Sequence, residues 1–116
     1  MVEIKAGAEL DMAVAEAVGV SGWIESLRNE ATGYQSPERF VLDSESETVF
    51  WEPSTDLNDA FAAAERAGMF LELNRLSWGW QAGTHAMKAR YAVGPTPSLA
   101  ICAAILELAK GEQCTG

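Results

Sequence analysis

The pattern of apolar and polar positions predicts two helices before residue 70. Residues 9–18 carry an apolar face at helical spacing, and Gly19 follows them as a helix stop. A second helix is expected after Pro53-Ser54-Thr55-Asp56, where the hydroxyl of Ser54 or Thr55 would accept hydrogen bonds from the free amides of the first turn. Gly68 is expected to end it. Its buried stripe is predicted to consist of Leu57, Ala60, Phe61 and Ala64.

A third helix is predicted from Thr96 to about Lys110. Thr96 suits the N-cap and Pro97 the first helical position, where the missing N–H of proline costs nothing. The helix is expected to stop at Gly111 and to leave a flexible tail from about that residue. Its apolar residues cover more than one stripe, so it is expected either in the centre of the core or at a subunit interface.

Short runs of β-branched and aromatic residues predict strands. Residues 40–42 and 48–51 are expected to form a hairpin around the acidic loop 43–47, whereas residues 21–36 fit a turn of helix or a short strand. Three further strands are predicted at 69–74, 77–82 and 87–93. Their connections are short, so an antiparallel meander is the simplest arrangement.

This order of elements predicts an α+β fold. Because helices lie at both ends and in the middle, we expect a mostly antiparallel sheet flanked by helices, an α/β/α sandwich. The chain has 116 residues, which suits a single domain over 1–116. A hydrophobic content of 48% with 22% charged residues is typical of a globular protein and not of a disordered one.

The formal net charge of −9 at pH 7 limits the partners. Such acidity repels nucleic-acid phosphates and anionic membranes, so neither direct DNA binding nor membrane association is expected. Residues 99–109 form the longest apolar stretch, which is too short to cross a bilayer. No signal peptide is predicted, because a basic region followed by an apolar core is missing at the N-terminus. The charge serves solubility, or it forms an acidic face that meets a basic patch on a partner.

Cysteine and histidine do not predict a metal site. His85 is the only histidine and is expected to be an exposed turn residue, while Cys102 lies in the apolar pattern of the last helix. Together with Cys114 they make neither a zinc site nor a disulfide framework. The loop 43–47 lacks the glycine and the ligand spacing of a calcium-binding loop. No cofactor is expected.

An active site is not predicted either, although one enzymatic alternative stays open. Glu52, Asp56 and Asp59 are close in sequence and would suit a small hydrolase that uses carboxylates. A helix start, however, accounts for two of these residues, because its dipole favours negative charge.

Two tryptophans suggest a binding site. Trp78 and Trp80 lie at alternate positions of a predicted strand and would share a face, with Arg75, Lys88 and Arg90 nearby in sequence. Such residues form a candidate ligand-binding platform, because indole rings stack on nucleobases and arginine pairs with phosphate. The alternative is that both indoles fill the core and the cations lie on the wet side of a strand.

Each predicted helix begins with a distinctive block of sequence. The blocks are Ala6-Gly7-x-Glu9-Leu10-Asp11-x-Ala13-Val14-Ala15-Glu16-x-Val18, Pro53-Ser54-Thr55-Asp56-x-x-x-Ala60-Phe61-x-x-Ala64-Glu65 and Thr96-Pro97-Ser98-Leu99-Ala100-Ile101-Cys102-x-Ala104-x-Leu106. In this order they resemble the phage ABA sandwich domain family. The resemblance implies a phage or prophage protein with a sheet between helical layers, and it brings no shared active site. The chain departs from the family at Ala103, where a basic residue is frequent, and segment 40–51 is longer than usual.

Two kinds of non-enzymatic function are therefore open. The first is a phage accessory protein in the cytoplasm of the infected bacterial host, which antagonises a host defence. It would sequester a cyclic nucleotide-type signal on the platform, or bind a host defence protein through its acidic surface. The alternative is a structural or assembly protein of the phage that acts through self-association. The widely apolar last helix favours a homo-oligomer.

Overall fold

The computed structural model describes residues 5–26, 28–43, 49–69, 71–83 and 91–114, and for residues 91 and 110–114 it describes the backbone. Its elements are α1 (Ala8–Val18), β1 (Gly22–Glu25), β2 (Arg39–Leu42), α2 (Leu57–Arg66), β3 (Glu72–Arg75), β4 (Trp80–Gly83), β5 (Tyr91–Gly94) and α3 (Pro97–Cys114). All strand pairs among these elements are antiparallel, and the sheets pack against helices, which confirms the predicted α+β class. No helix within these ranges is long and apolar enough to cross a membrane.

The predicted meander in the second half of the chain is confirmed. Strands β3, β4 and β5 are neighbours in that order, and Glu72 lies opposite Gly83. The predicted strand 77–82 starts only at Trp80, because the Leu76 amide donates to the Gly79 carbonyl at 2.8 Å and closes a tight turn. Residues 84–90, which include most of the third predicted strand, lie outside the described ranges.

The first half of the chain pairs differently from the prediction. The main partner of β2 is β1, with Gly22 opposite Leu42. Of the expected hairpin, residues 49–51 keep an antiparallel bridge between Val41 and Phe50 with backbone hydrogen bonds on both sides of it, and residues 44–48 lie outside the described ranges. A Cβ on residue 22 would overlap the Phe40 ring and the Val41 carbonyl. Glycine therefore lets β1 approach β2 closely, a role that the hydrophobic pattern does not reveal.

Helix α3 lies in the centre of the core, which decides between the two predicted environments. It contacts α1, α2, β4 and β5. Its buried apolar residues are Leu99, Ala100, Ile101, Cys102, Ala104 and Ile105. The predicted stop at Gly111 is wrong, since α3 continues to Cys114. One glycine inside a helix costs about 1 kcal/mol and does not by itself end it.

The buried stripe of α2 also differs from the prediction. Ala60, Ala63 and Ala64 are buried, whereas Phe61 is 43% exposed. Three small side chains let α2 pack closely against α3, and this packing turns Phe61 outward. The predicted end of the helix is confirmed, because Gly68 has φ 73° and the Met69 amide donates to the Ala64 carbonyl at 3.0 Å.

The cap of α2 is Asp56, and the predicted hydroxyl cap is wrong. The Asp56 side chain accepts a hydrogen bond from the Asp59 amide at 3.2 Å. Ser54 lies two residues earlier and is buried, and its hydroxyl accepts from the Gly7 amide at 3.1 Å. The α3 cap follows the prediction, since Thr96 Oγ1 accepts from the Leu99 amide at 3.2 Å.

Removal of the α2 cap gives a first testable prediction. We expect Asp56→Ala to lower the free energy of unfolding by about 0.5–2 kcal/mol, because the Asp59 amide loses its acceptor and the helix dipole loses a favourable charge. Urea unfolding measures the effect. Thr55→Ala is the matched control, because the exposed Thr55 side chain makes no hydrogen bond within the described part of the chain. A larger loss for Thr55→Ala than for Asp56→Ala would restore the hydroxyl cap.

Candidate functional site

The β3–β4 hairpin carries the most exposed indole of the described residues. Ser77 and Trp78 form the two-residue turn between Leu76 and Gly79. Trp78 is 64% exposed, so its ring contributes little to the core. Exposure of so large an apolar ring is unfavourable in water, and it is common where a ring meets a ligand or a partner.

Trp80 differs from Trp78 in its surroundings. It is half-buried and packs against the core, and it lies opposite Arg75 in the strand register. The Arg75 guanidinium carbon is 6.0 Å from the centroid of the Trp80 ring, at the outer limit of a cation–π contact. The prediction that both indoles share a strand face is wrong, because Trp78 lies in the turn. The core alternative describes Trp80 and the binding alternative fits Trp78.

The structure therefore brings together three of the five predicted platform residues. Arg75, Trp78 and Trp80 lie within one hairpin. Lys88 and Arg90 lie outside the described residues, and so does His85. The described part of the platform consists of two indoles and one guanidinium. We call these three residues, Arg75, Trp78 and Trp80, the hairpin tip.

A buried polar cluster was missed by the sequence analysis. Asp11, on α1, is 2% exposed, and its Oδ1 accepts from the Ser54 amide at 2.8 Å. Burial raises the pKa of Asp11, the hydrogen bonds from Ser54 lower it, and the charges of Glu52 and Asp59 raise it further. The bonds of Asp11 and of the Ser54 hydroxyl tie α1 to the turn before α2.

One signal for this cluster was present in the sequence. Asp11 falls on the apolar face of α1, three and four residues before the buried Val14 and Ala15. A buried charge without a partner is costly. A carboxylate on such a face therefore indicates either that the predicted face is in error or that the carboxylate accepts hydrogen bonds.

The three carboxylates of the enzymatic alternative each have a structural partner. The Glu52 carboxylate accepts a hydrogen bond from Arg39 Nε at 3.1 Å, and the Arg39 guanidinium also stacks on the Phe50 ring. Asp59 accepts from the Glu52 amide at 2.9 Å, while Asp56 caps α2. These bonds account for the acidic residues by the local fold. Within the described ranges no group of three or more His, Cys, Asp or Glu is placed to hold a metal ion.

Cys102 is a core residue, as predicted. Burial, with a smaller contribution from the charge of Asp11, raises the pKa of its thiol to about 12. The thiolate is the nucleophilic form of cysteine, so this thiol is unreactive near neutral pH.

An apolar depression lies between the C-terminal half of α2 and the start of β3. It has a volume of about 320 Å³ and is lined by Phe61, Ala64, Glu65, Gly68, Met69 and Leu71. Leu71 directly precedes β3, so the depression and the hairpin tip flank the same strand. A second open depression, of about 420 Å³, includes Arg66, whose guanidinium donates to the Gly19 carbonyl at the end of α1.

Comparison with known proteins adds no relative to these observations. No family model, no curated protein and no solved structure matches the chain. The likeness of the three helix blocks to the phage ABA sandwich family therefore stays a hypothesis from the sequence. A function has to be argued from the α+β fold, the hairpin tip and the charge.

Proposed function

We propose that this protein is a non-catalytic phage accessory protein that antagonises a bacterial host defence by binding a defence protein through the hairpin tip. The observation that carries the proposal is the exposed indole of Trp78 in the turn of the hairpin that also carries Arg75 and Trp80. Tryptophan and arginine are enriched among the few residues that dominate the energy of protein interfaces. Binding would remove the Trp78 ring from water, which its own fold does not do.

The charge of the chain supports a protein partner with a basic surface. A net charge of −9 on 116 residues attracts cationic patches and speeds their encounter with the protein. Defence proteins that act on nucleic acids carry such patches, because they must bind phosphates. The resemblance of the helix blocks to a phage family supports a phage origin.

A nucleotide signal is the second candidate ligand, and one observation favours it. Arg75 and Trp80 are paired across the hairpin whose turn carries the exposed Trp78. An indole that stacks on a base and a guanidinium that pairs with a phosphate are the contacts a cyclic nucleotide needs.

The apolar surface of α3 no longer supports the alternative of self-association. The apolar residues of α3 on which it rested are largely used in the core, where α3 packs against four elements. A homo-oligomer through this helix is therefore not part of the proposal.

The proposal is tested by phage plating on bacteria that each carry one defined defence system and express the chain. We expect plating to be restored against one system by the unmodified protein and by Trp23→Ala, and to be lost with Trp78→Ala. Trp23 is the matched control, because it is an exposed indole on β1. Loss of an interface hot spot of at least about 2 kcal/mol weakens binding roughly thirtyfold.

Two results would reject the proposal. One is relief of none of the defence systems, and the other is equal relief by Trp78→Ala and the unmodified chain. A thermal-shift series with cyclic oligonucleotides and cyclic ADP-ribose isomers separates the two ligands. A nucleotide at a hundred times its Kd stabilises the folded state by about 2.7 kcal/mol, and the absence of any shift would leave the protein partner alone.

A further inference from the structure

We propose that the outer edge of β3 is the docking strip for an extended, basic segment of the partner, which adds to the sheet as a fourth strand. This inference rests on the proposed function in taking a protein as the partner. It names the surface that the partner meets beyond the hairpin tip, and the kind of chain that fits it.

The strand order leaves this edge open within the described residues. β3 pairs with β4 on one side, and no described strand pairs with it on the other. The hydrogen bond from the Leu76 amide to the Gly79 carbonyl sets the alternation along β3. In an antiparallel pair every second residue faces its partner strand, so Glu72 and Asn74 direct their peptide groups to β4. Leu73 and Arg75 direct theirs to the outer edge.

Both ends of β3 offer an anchoring surface. At its beginning lies the depression of about 320 Å³, with Phe61 and Leu71 in its lining. At its end lies the exposed indole of Trp78, three residues after Arg75. From Leu71 to Arg75 an extended chain spans about 13 Å, at roughly 3.3 Å per residue. A partner strand of ordinary length therefore reaches from one surface to the other.

The depression favours an apolar residue on the partner, while the Glu65 carboxylate and the net charge of the chain favour a basic one. Most residues that line it are apolar, and Glu65 supplies a carboxylate. The chain as a whole has a net charge of −9. In strand addition the main-chain hydrogen bonds provide affinity, while pockets for alternate side chains provide specificity. We therefore assign an alternating apolar and basic segment.

Charge disfavours a second copy of this chain as the occupant. Two copies joined along β3 would bring two net charges of −9 together, and their repulsion opposes association. A basic segment removes this repulsion and gains from the acidic surface.

The probe is a synthetic peptide of about seven residues that alternates valine and lysine, a usual strand length. Its binding is followed by NMR of the full chain. We expect hydrogen exchange at the Leu73 and Arg75 amides to slow about tenfold or more, because both gain acceptors, while Glu72 and Asn74 change little. Phe61→Ser should weaken the peptide about tenfold, whereas Val93→Ala, which shortens an exposed residue of β5, should not.

Two altered peptides test the two parts of the inference. N-methylation at alternate residues removes the amides that pair with β3, and a glutamate peptide in place of the lysine peptide reverses the charge. Each should bind about tenfold more weakly or worse. Equal binding by the N-methylated peptide would overturn strand addition, and equal binding by the glutamate peptide would overturn the basic partner.

Two further outcomes would also overturn the inference. Sedimentation that shows a dimer broken by Leu73→Lys would make a second copy the occupant. No peptide binding, with host-defence relief still dependent on Trp78, would reject the docking strip and leave the proposed function intact. Peptide binding without any relief of a host defence would support the docking strip and reject the proposed function.

Discussion

Replacing Ile101 with alanine is expected to lower the free energy of unfolding by about 2–5 kcal/mol, the range for large-to-small substitutions in a core. Ile101 is fully buried in α3, which contacts α1, α2, β4 and β5. Alanine removes apolar surface and leaves a cavity that four packed elements cannot close at once. Since small domains are stable by only about 5–15 kcal/mol, this single change is expected to remove a large part of the stability.

Urea unfolding followed by circular dichroism measures this loss as a lower midpoint at an unchanged slope. Leu106→Ala is the matched control, because Leu106 lies in the same helix but is only half-buried. Isoleucine has a slightly lower helix propensity than leucine, so alanine gains slightly more at position 101, and the difference between the two losses is a lower bound on the contribution of packing. Equal losses for the two variants would contradict a central position of α3.

Asp11→Ala is expected to cost about 1–3 kcal/mol, because it leaves the buried Ser54 amide without an acceptor. It also separates α1 from the turn that precedes α2, since the Ser54 hydroxyl is positioned by the same contact and accepts from Gly7. Asp11→Asn is the informative companion. Asparagine retains an acceptor for the Ser54 amide and removes the charge, so it is expected to be much less destabilising than alanine.

The pH dependence of the Asp11→Asn variant has a definite sign. Burial and the neighbouring charges of Glu52 and Asp59 raise the pKa of Asp11 in the folded chain above 3.8, the usual value. The folded chain then binds the proton more tightly than the unfolded chain, so protonation of Asp11 favours folding. This contribution is fully present below the unfolded pKa and is lost as the pH rises through the raised folded pKa.

The unmodified protein is therefore expected to gain stability relative to Asp11→Asn as the pH falls from 7 toward 4. The measurement is the difference between the two free energies of unfolding at each pH, which cancels the titration of groups common to both chains. A difference that moves in the opposite direction would mean that Asp11 has a lowered pKa and that its hydrogen bonds outweigh burial.

The exposed Trp78 and the half-buried Trp80 show why the candidate site was only partly predictable. Alternation along a predicted strand places both indoles on one face, and it does not distinguish a strand from a two-residue turn followed by a strand. The hydrogen bond between Leu76 and Gly79 makes that distinction. It moves Trp78 into the turn and leaves Trp80 as the first residue of β4.

The buried Asp11 and the exposed Phe61 also show that local patterns do not predict the environment of a side chain. Both lie on helices whose position and ends the pattern predicted. Their environments depend on the packing of α1 and α2 against segments far away in sequence. Ser54 supplies the amide that makes burial of Asp11 tolerable, and the alanine face of α2 turns Phe61 outward.

By itself the sequence determined the features that arise from neighbouring residues. Helical spacing, Gly19 and Gly68 in left-handed conformation, the Thr96 cap and the short connections of the meander all act over a few residues. Only the tertiary structure decided the partner of β2, the central place of α3 and the burial of Asp11. These features depend on contacts between residues distant along the chain, and such contacts leave little trace in local patterns.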